Sequence, residues 1–332
     1  MSKDHEENIK KEFAKAEGIS VEATETPTEV VKDLGKVETK VQKNVITSDD
    51  PEIQRIQALT GYTKLNLNAF PSKGKFYRED FEIHIRPARV QEIRAYSTID
   101  EENLKEVDEG LNNIIVGCCK VQYGNQRGSY KDVLEEDRIF LILSIRELTF
   151  KTGEQVLNMP IGKKSCKTST CSVQDSEELK TSNLQFNNIP ETIEKYYDPV
   201  EKCYSITTKS YGVIKMAPPT IGVMRAITDY IREKEEAGQH WDKSSLSALP
   251  YLQREWRGWN QKDIFSMITS FQGWDTTKYS IVYRLAEDMK IGVKPEMVFP
   301  CQSCGEEVTV PLTFPGGIKA LFIVSDISSE LL

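Results

Sequence analysis

Cys301-Gln302-Ser303-Cys304-Gly305 stands between two strand-like runs, Met297–Phe299 and Val308–Leu312, near the end of a 332-residue chain. Two thiols separated by two residues can turn toward one ion at the tip of a hairpin. A glycine after the second supplies the positive φ that lets backbone N–H groups approach the sulfurs. Two sulfurs fill only half of a tetrahedral zinc site, so the pair constrains the fold by demanding partners from elsewhere. Cys166 and Cys171, in SCKTSTC, are the other closely spaced pair outside a predicted helix. Joined, the four make a zinc-ribbon-like clip between the middle of the chain and its end. Such a site is closed and structural, because four sulfur ligands leave no position for water or substrate. The competing reading is four thiols without metal, and the lack of a glycine after Cys171 counts toward it. Cys118 and Cys119 fall on an apolar helical stretch and read as small core residues. Cys203, on a predicted strand, stands as a substitute ligand of lower rank.

The first sixty residues differ in kind from the rest. They hold thirteen Asp or Glu, nine Lys or Arg and a single aromatic, Phe13. Such a segment buries too little apolar surface to offset the cost of ordering it. Residues 1–60 are therefore expected to form a flexible acidic arm. Residues 61–149 follow as a strand with helices. In FEIHIRP, Phe81, Ile83 and Ile85 alternate with polar residues; Leu104, Val107, Leu111, Ile114, Ile115 and Cys118 mark a helix that Asp100 would cap. A third helix is predicted around Lys131–Arg146. Residues 150–217 read as short strands carrying the first cysteine pair, and 218–292 as a helical insertion. There Val223, Met224, Ile227, Tyr230 and Ile231 form one stripe, and Tyr279, Val282, Leu285, Ala286 and Met289 another, opened by Asp275. Residues 293–332 hold the second cysteine pair, a strand and an apolar tail. The expected class is α+β: helical segments around a small antiparallel β region with the four-cysteine clip, plus the arm.

Signatures of catalysis are missing. The chain has three histidines; His5 lies in the arm, His84 on a strand and His240 beside Trp241. No GxSxG, GxGxxG or phosphate loop is present, and carboxylates are too many for one pair to stand out as acid and base. His84 reads as a strand histidine facing solvent or a polar neighbour. No catalytic residue and no small-molecule substrate are expected. The net charge of −8 argues against nucleic acid. The one local basic cluster, Arg254, Arg257 and Lys262, reads as a solvated helix face. The longest apolar runs, Ile139–Leu143 and Ala320–Val324, fall far short of a membrane span, and MSKDHEENIKKEF has no leader-like stretch. Synthesis in the cytosol, with cysteines kept as thiols or metal ligands, is the expectation.

Three phrases carry a resemblance. PSKGKFY followed by the alternating strand, GVIKMAPPTIGVMRAI, and IGVKPEMVFPCQSCGEEVTVPLTF occur in that order. They are similar to the opening, middle and close of the baseplate hub protein family of T-even-like contractile-tailed bacteriophages, over roughly Leu65 to Phe314. The chain departs from the family in its C-x4-C first knuckle, in the Trp-rich stretch around His240–Trp259, and in a tail reading ALFIVSD. The resemblance implies a structural or assembly component of a phage tail baseplate. Its partners would be other tail and baseplate proteins, and its place the virion after synthesis in host cytoplasm. The arm and the tail would each order against neighbouring subunits, and Trp241, Trp256, Trp259 and Trp274 would be contact anchors, or else close the helical core. Two other readings are a zinc-ribbon nucleic-acid binder and a tail assembly chaperone absent from the mature virion.

Overall fold

The alternation of Phe81, Ile83 and Ile85 places three apolar side chains on one face, and strand β2 (Phe81–Ile85) buries all three. In the computed structural model, which describes residues 59–150, 158–161, 175–178, 180–252, 261–301, 304–312, 314 and 317–323, this strand anchors the first of two cores. The expected arm lies outside the described residues up to position 58. All described residues belong to one compact unit, Ser48–Leu332.

β1 (Thr63–Lys64), β2, β3 (Cys119–Tyr123) and β4 (Gln126–Arg127) form an antiparallel sheet in that order, with β2 and β3 registered from Phe81↔Tyr123 to Ile85↔Cys119. Helix α1 (Val90–Ser97) and helix α2 (Leu104–Cys118) pack together, and α3 (Arg138–Thr149) buries Phe140, Leu141, Ile142, Leu143 and Ile145. Then come β5 (Asn158–Ile161) and β6 (Asp175–Glu178), which pair with each other, and β7 (Phe186–Asn187). After the short helix α4 (Glu191–Glu194) come β8 (Tyr197–Asp198), β9 (Cys203–Thr208) and β10 (Gly212–Met216), a three-stranded antiparallel sheet. Helices α5 (Ile221–Glu236), α6 (Lys243–Ala248), α7 (Gln261–Gln272) and α8 (Thr276–Asp288) follow. β11 (Gly292–Val293) pairs with β7, and β12 (Glu296–Pro300) with β13 (Glu307–Pro311). Helices beside small antiparallel sheets make the fold α+β.

Two hydrophobic clusters hold it. The first gathers β2, β3, α2 and α3 with Met297, Phe299, Val308, Val310, Leu321 and Phe322 from the end of the chain. The second gathers Tyr204, Ile206 and Ile214 with Ile227, Leu249, Ile264, Phe271, Val282 and Met289.

Three expectations need correction. Asn103, not Asp100, caps α2: its side-chain oxygen accepts the Lys105 and Glu106 amides at 3.2 and 3.4 Å, while Asp100 holds the Glu102 amide in the preceding turn. The third helix starts at Arg138, because Val133 and Leu134 are extended and pair with Pro219–Ile221. Cys119 opens β3 and is not helical; both cysteines are nonetheless buried in the first core. In the tail, Leu321 and Phe322 pack on the chain's own first core. The Tyr96 hydroxyl donates to the Ile318 carbonyl at 2.8 Å, and the Lys319 amide donates to Glu101 at 2.7 Å. The Tyr96 ring of α1 lies 5.3 Å from that of Phe322, edge to face.

Candidate metal centre and the seam between the cores

The alternation in EMVFP and EVTVP turns Met297, Phe299, Val308 and Val310 inward and leaves Glu296, Val298, Glu307 and Thr309 outside. Five residue pairs from Glu296↔Pro311 to Pro300↔Glu307 fix the register, so Cys301 begins the hairpin connection. The Cys301 amide donates to the Glu306 carbonyl at 2.8 Å, and the Gly305 amide to the Cys301 carbonyl at 2.7 Å. Gly305 has φ +73, the left-handed conformation the sequence reading required of it. Cys301 is buried against the first core, and Cys304 is exposed at the rim.

This half of the site fits a zinc ion in donor chemistry, since two thiols sit on one tight turn braced by backbone hydrogen bonds. Cys166 and Cys171 lie outside the described residues. In sequence they fall in the connection between β5 and β6, and β5 packs beside β13. Among the described residues no three His, Cys, Asp or Glu side chains converge as a ligand group, so Cys203 does not complete the site with Cys301 and Cys304. Cys203 is buried at the start of β9 with its sulfur 3.9 Å from the Ser205 hydroxyl. Burial pushes the thiols of Cys118 and Cys119 up to about 11 and about 12, which suits inert packing.

The other candidates fall out simply. His84 is buried with Nε2 3.0 Å from Glu82, a polar neighbour. Trp241 and Trp274 are half-buried against the second core; Trp274 lies 4.6 Å from the Phe271 ring, under the Lys278 ammonium. Trp256, Trp259, Arg254 and Arg257 lie outside the described residues, and Lys262 is exposed on α7. A groove of about 390 Å³ between α1 and α2 is lined by residues including Glu92, Tyr96, Glu109 and Val116, with no His, Cys or Lys among its lining.

Sequence reasoning missed a buried polar node. PSKGKFY makes a turn in which Gly74 takes φ +72, and a Cβ there would sit 3.0 Å from that of Leu67. The turn aims Ser72 and Tyr77 at Asp137, which is fully buried. The Asp137 carboxylate accepts the Ser72 amide at 2.9 Å, the Ser72 hydroxyl at 2.6 Å and the Tyr77 hydroxyl at 2.7 Å. Burial pushes the Asp137 carboxyl up, and these hydrogen bonds pull it back. The Tyr77 hydroxyl in turn accepts the Leu134 amide at 3.0 Å.

From this node two limbs reach the second core. In one, the Lys75 ammonium pairs with Glu194 and lies 4.0 Å from the centre of the Tyr197 ring, while Phe76 packs on both clusters. In the other, the Glu135 amide donates to the Pro219 carbonyl at 2.9 Å, the Ile221 amide to the Val133 carbonyl at 2.8 Å, and the Tyr251 hydroxyl to Glu136 at 2.9 Å. The only signal in sequence is Glu-Glu-Asp separated by Arg138 from an apolar run, which reads equally well as a solvated helix start. No family model, curated protein or solved structure matches the chain.

Proposed function

We propose that the chain is a non-enzymatic structural or assembly component of the baseplate hub of a contractile phage tail. It works by protein–protein contacts on a scaffold clasped by one zinc ion. The zinc would be held by Cys166, Cys171, Cys301 and Cys304. Bound there, it supplies a cross-link between two hairpins that lie side by side, and no open position for chemistry. The observation that carries the reading is where the three family-like phrases fall. PSKGKFY forms the Asp137 node, APPTIG contributes Pro219 and Ile221 to the seam, and CQSCGEE makes the knuckle on the first core. Phrases spent on joining parts of a scaffold suit a docking protein. The acidic balance favours protein partners over nucleic acid.

Quantitative mass spectrometry of purified tailed particles, and of tail-assembly intermediates, from a phage encoding this chain tests the reading. The expected result is enrichment with baseplate proteins in at least one of the two. Absence from both overturns it, as does salt-sensitive retention on DNA at moderate ionic strength. Presence in intermediates alone would assign the chaperone role within the same reading.

A further inference from the structure

Glu136 stands where the two cores meet. One of its carboxylate oxygens accepts the Tyr251 hydroxyl at 2.9 Å; the other is buried with no hydrogen-bond partner. Gly292 closes over the same turn: it takes φ +128, and a Cβ there would lie 3.4 Å from the Glu136 carbonyl. The titratable groups that face Glu136 carry no positive charge. They are Glu135 and Asp137 on its own turn, Tyr77 from the turn of residues 72–77, and Tyr251 from the second core, with Glu287 of α8 behind Tyr251. The Arg138 guanidinium, two residues on, is held by Asp108 at 2.6 Å and Glu135 at 3.1 Å. An ionised carboxylate here is a buried charge with two anionic neighbours, and only the Tyr251 hydroxyl and its own backbone amide as donors. A neutral one leaves only a buried hydroxyl without an acceptor, a far smaller cost.

We propose that Glu136 is a protonation latch between the cores: as the neutral acid it joins them through Tyr251, and on ionising it loosens the seam at 219–221 and 251 while each core stays folded. Burial, with Asp137 and Glu135 adding to it, pushes the carboxyl up to about 8, against an ordinary value near 4.5. The closed seam therefore holds a proton that the opened seam releases. Closure is favoured fully below the ordinary value and weakens by up to about tenfold per pH unit until the raised value is passed.

Hydrogen exchange of the full-length protein reads this directly at the amides of Glu135 and Ile221, which tie the segment of residues 133–135 beside Glu136 to residues 219–221. After correction for intrinsic rates, their opening constant should rise by up to about a hundredfold between pH 6 and pH 8. Amides of β2 and β3, inside the first core, should not follow. In Glu136→Gln the seam amides should be independent of pH over that range. A wild-type opening constant that is flat, or a variant that keeps the wild-type slope, overturns the latch. Should Glu136→Gln fail to fold, titration of the side-chain carboxyl carbon of Glu136 in the wild-type protein decides: a midpoint below about 6 sinks the proposal, and one above it upholds it. Tyr251→Phe removes the side-chain donor and should move that midpoint higher still; a midpoint that stays put overturns the cross-core hydrogen bond.

Discussion

Ser72 touches Asp137 twice, through its amide and its hydroxyl, and the same hydroxyl accepts the Gly74 amide at 3.2 Å. Replacing it with alanine keeps the amide contact but leaves a fully buried carboxylate oxygen with Tyr77 alone. A hydrogen bond to a charged group contributes about 1.5–3 kcal/mol, and the loss falls on a fully buried carboxylate. Ser72→Ala should therefore lower the unfolding free energy by about 2 kcal/mol at neutral pH, measured from the urea midpoint. A change under about 0.5 kcal/mol would mean that the node relaxes without cost. Glycine at position 74 is required for a separate reason. Its positive φ and the closeness of Leu67 together leave no room for a side chain that the turn could carry unstrained. PSKGKFY is thus a phrase in which backbone conformation and buried polarity are set together, two positions apart.

At the scale of elements, the hairpin β12–β13 joins metal chemistry to core packing, since Met297, Phe299, Val308 and Val310 bury behind the knuckle. Protein purified without chelator should carry about one zinc per chain with four sulfur neighbours, read by metal analysis and X-ray absorption. Chelation should then lower the thermal midpoint of the wild-type chain and leave that of Cys301→Ser unmoved, because the variant has already lost the ion. A wild-type chain without zinc, or one indifferent to chelator, refutes the four-sulfur clip. Much at this scale was legible in the sequence. The alternation of FEIHI, the stripes of α5 and α8, Asp275 as a cap and the hairpin around the cysteines all follow from period and turn chemistry. Asp275 accepts the Thr277 and Lys278 amides at 2.9 and 3.0 Å. What escaped was set by partners distant in sequence. The apolar stripe extends the helix to Cys119 in sequence, whereas pairing with β2 makes Cys119 the first residue of a strand. Val133 and Leu134 fit a helical period in sequence but are extended because the Pro219 carbonyl and Ile221 amide pair with their segment. Local period cannot report a ladder whose other half is far along the chain.

For the whole molecule, the consequence is two cores coupled through a narrow seam, and Phe76 is the side chain that packs on both. Its ring lies 5.9 Å from Tyr197 and 5.7 Å from Tyr204, while its neighbours Lys75 and Tyr77 pull the same turn toward the second and first cores respectively. The cores can be watched separately. Trp241 and Trp274 pack on the second, so tryptophan fluorescence in a background with Trp256 and Trp259 replaced by Phe reports it. Cys118 and Cys119 are buried in the first, so thiol labelling resolved by peptide mass mapping reports that one. With Phe76 in place the two probes should give one urea midpoint, as a coupled unit requires. Phe76→Ala removes a half-buried ring at a cost of about 2 kcal/mol, equivalent to roughly 1 M urea at a typical slope. Because that cost falls on the coupling and not on either interior, the two midpoints should separate as well as fall. Coincident midpoints in the variant would mean that the seam is held elsewhere, by Glu136 and the strand-like contact at Leu134 and Thr220.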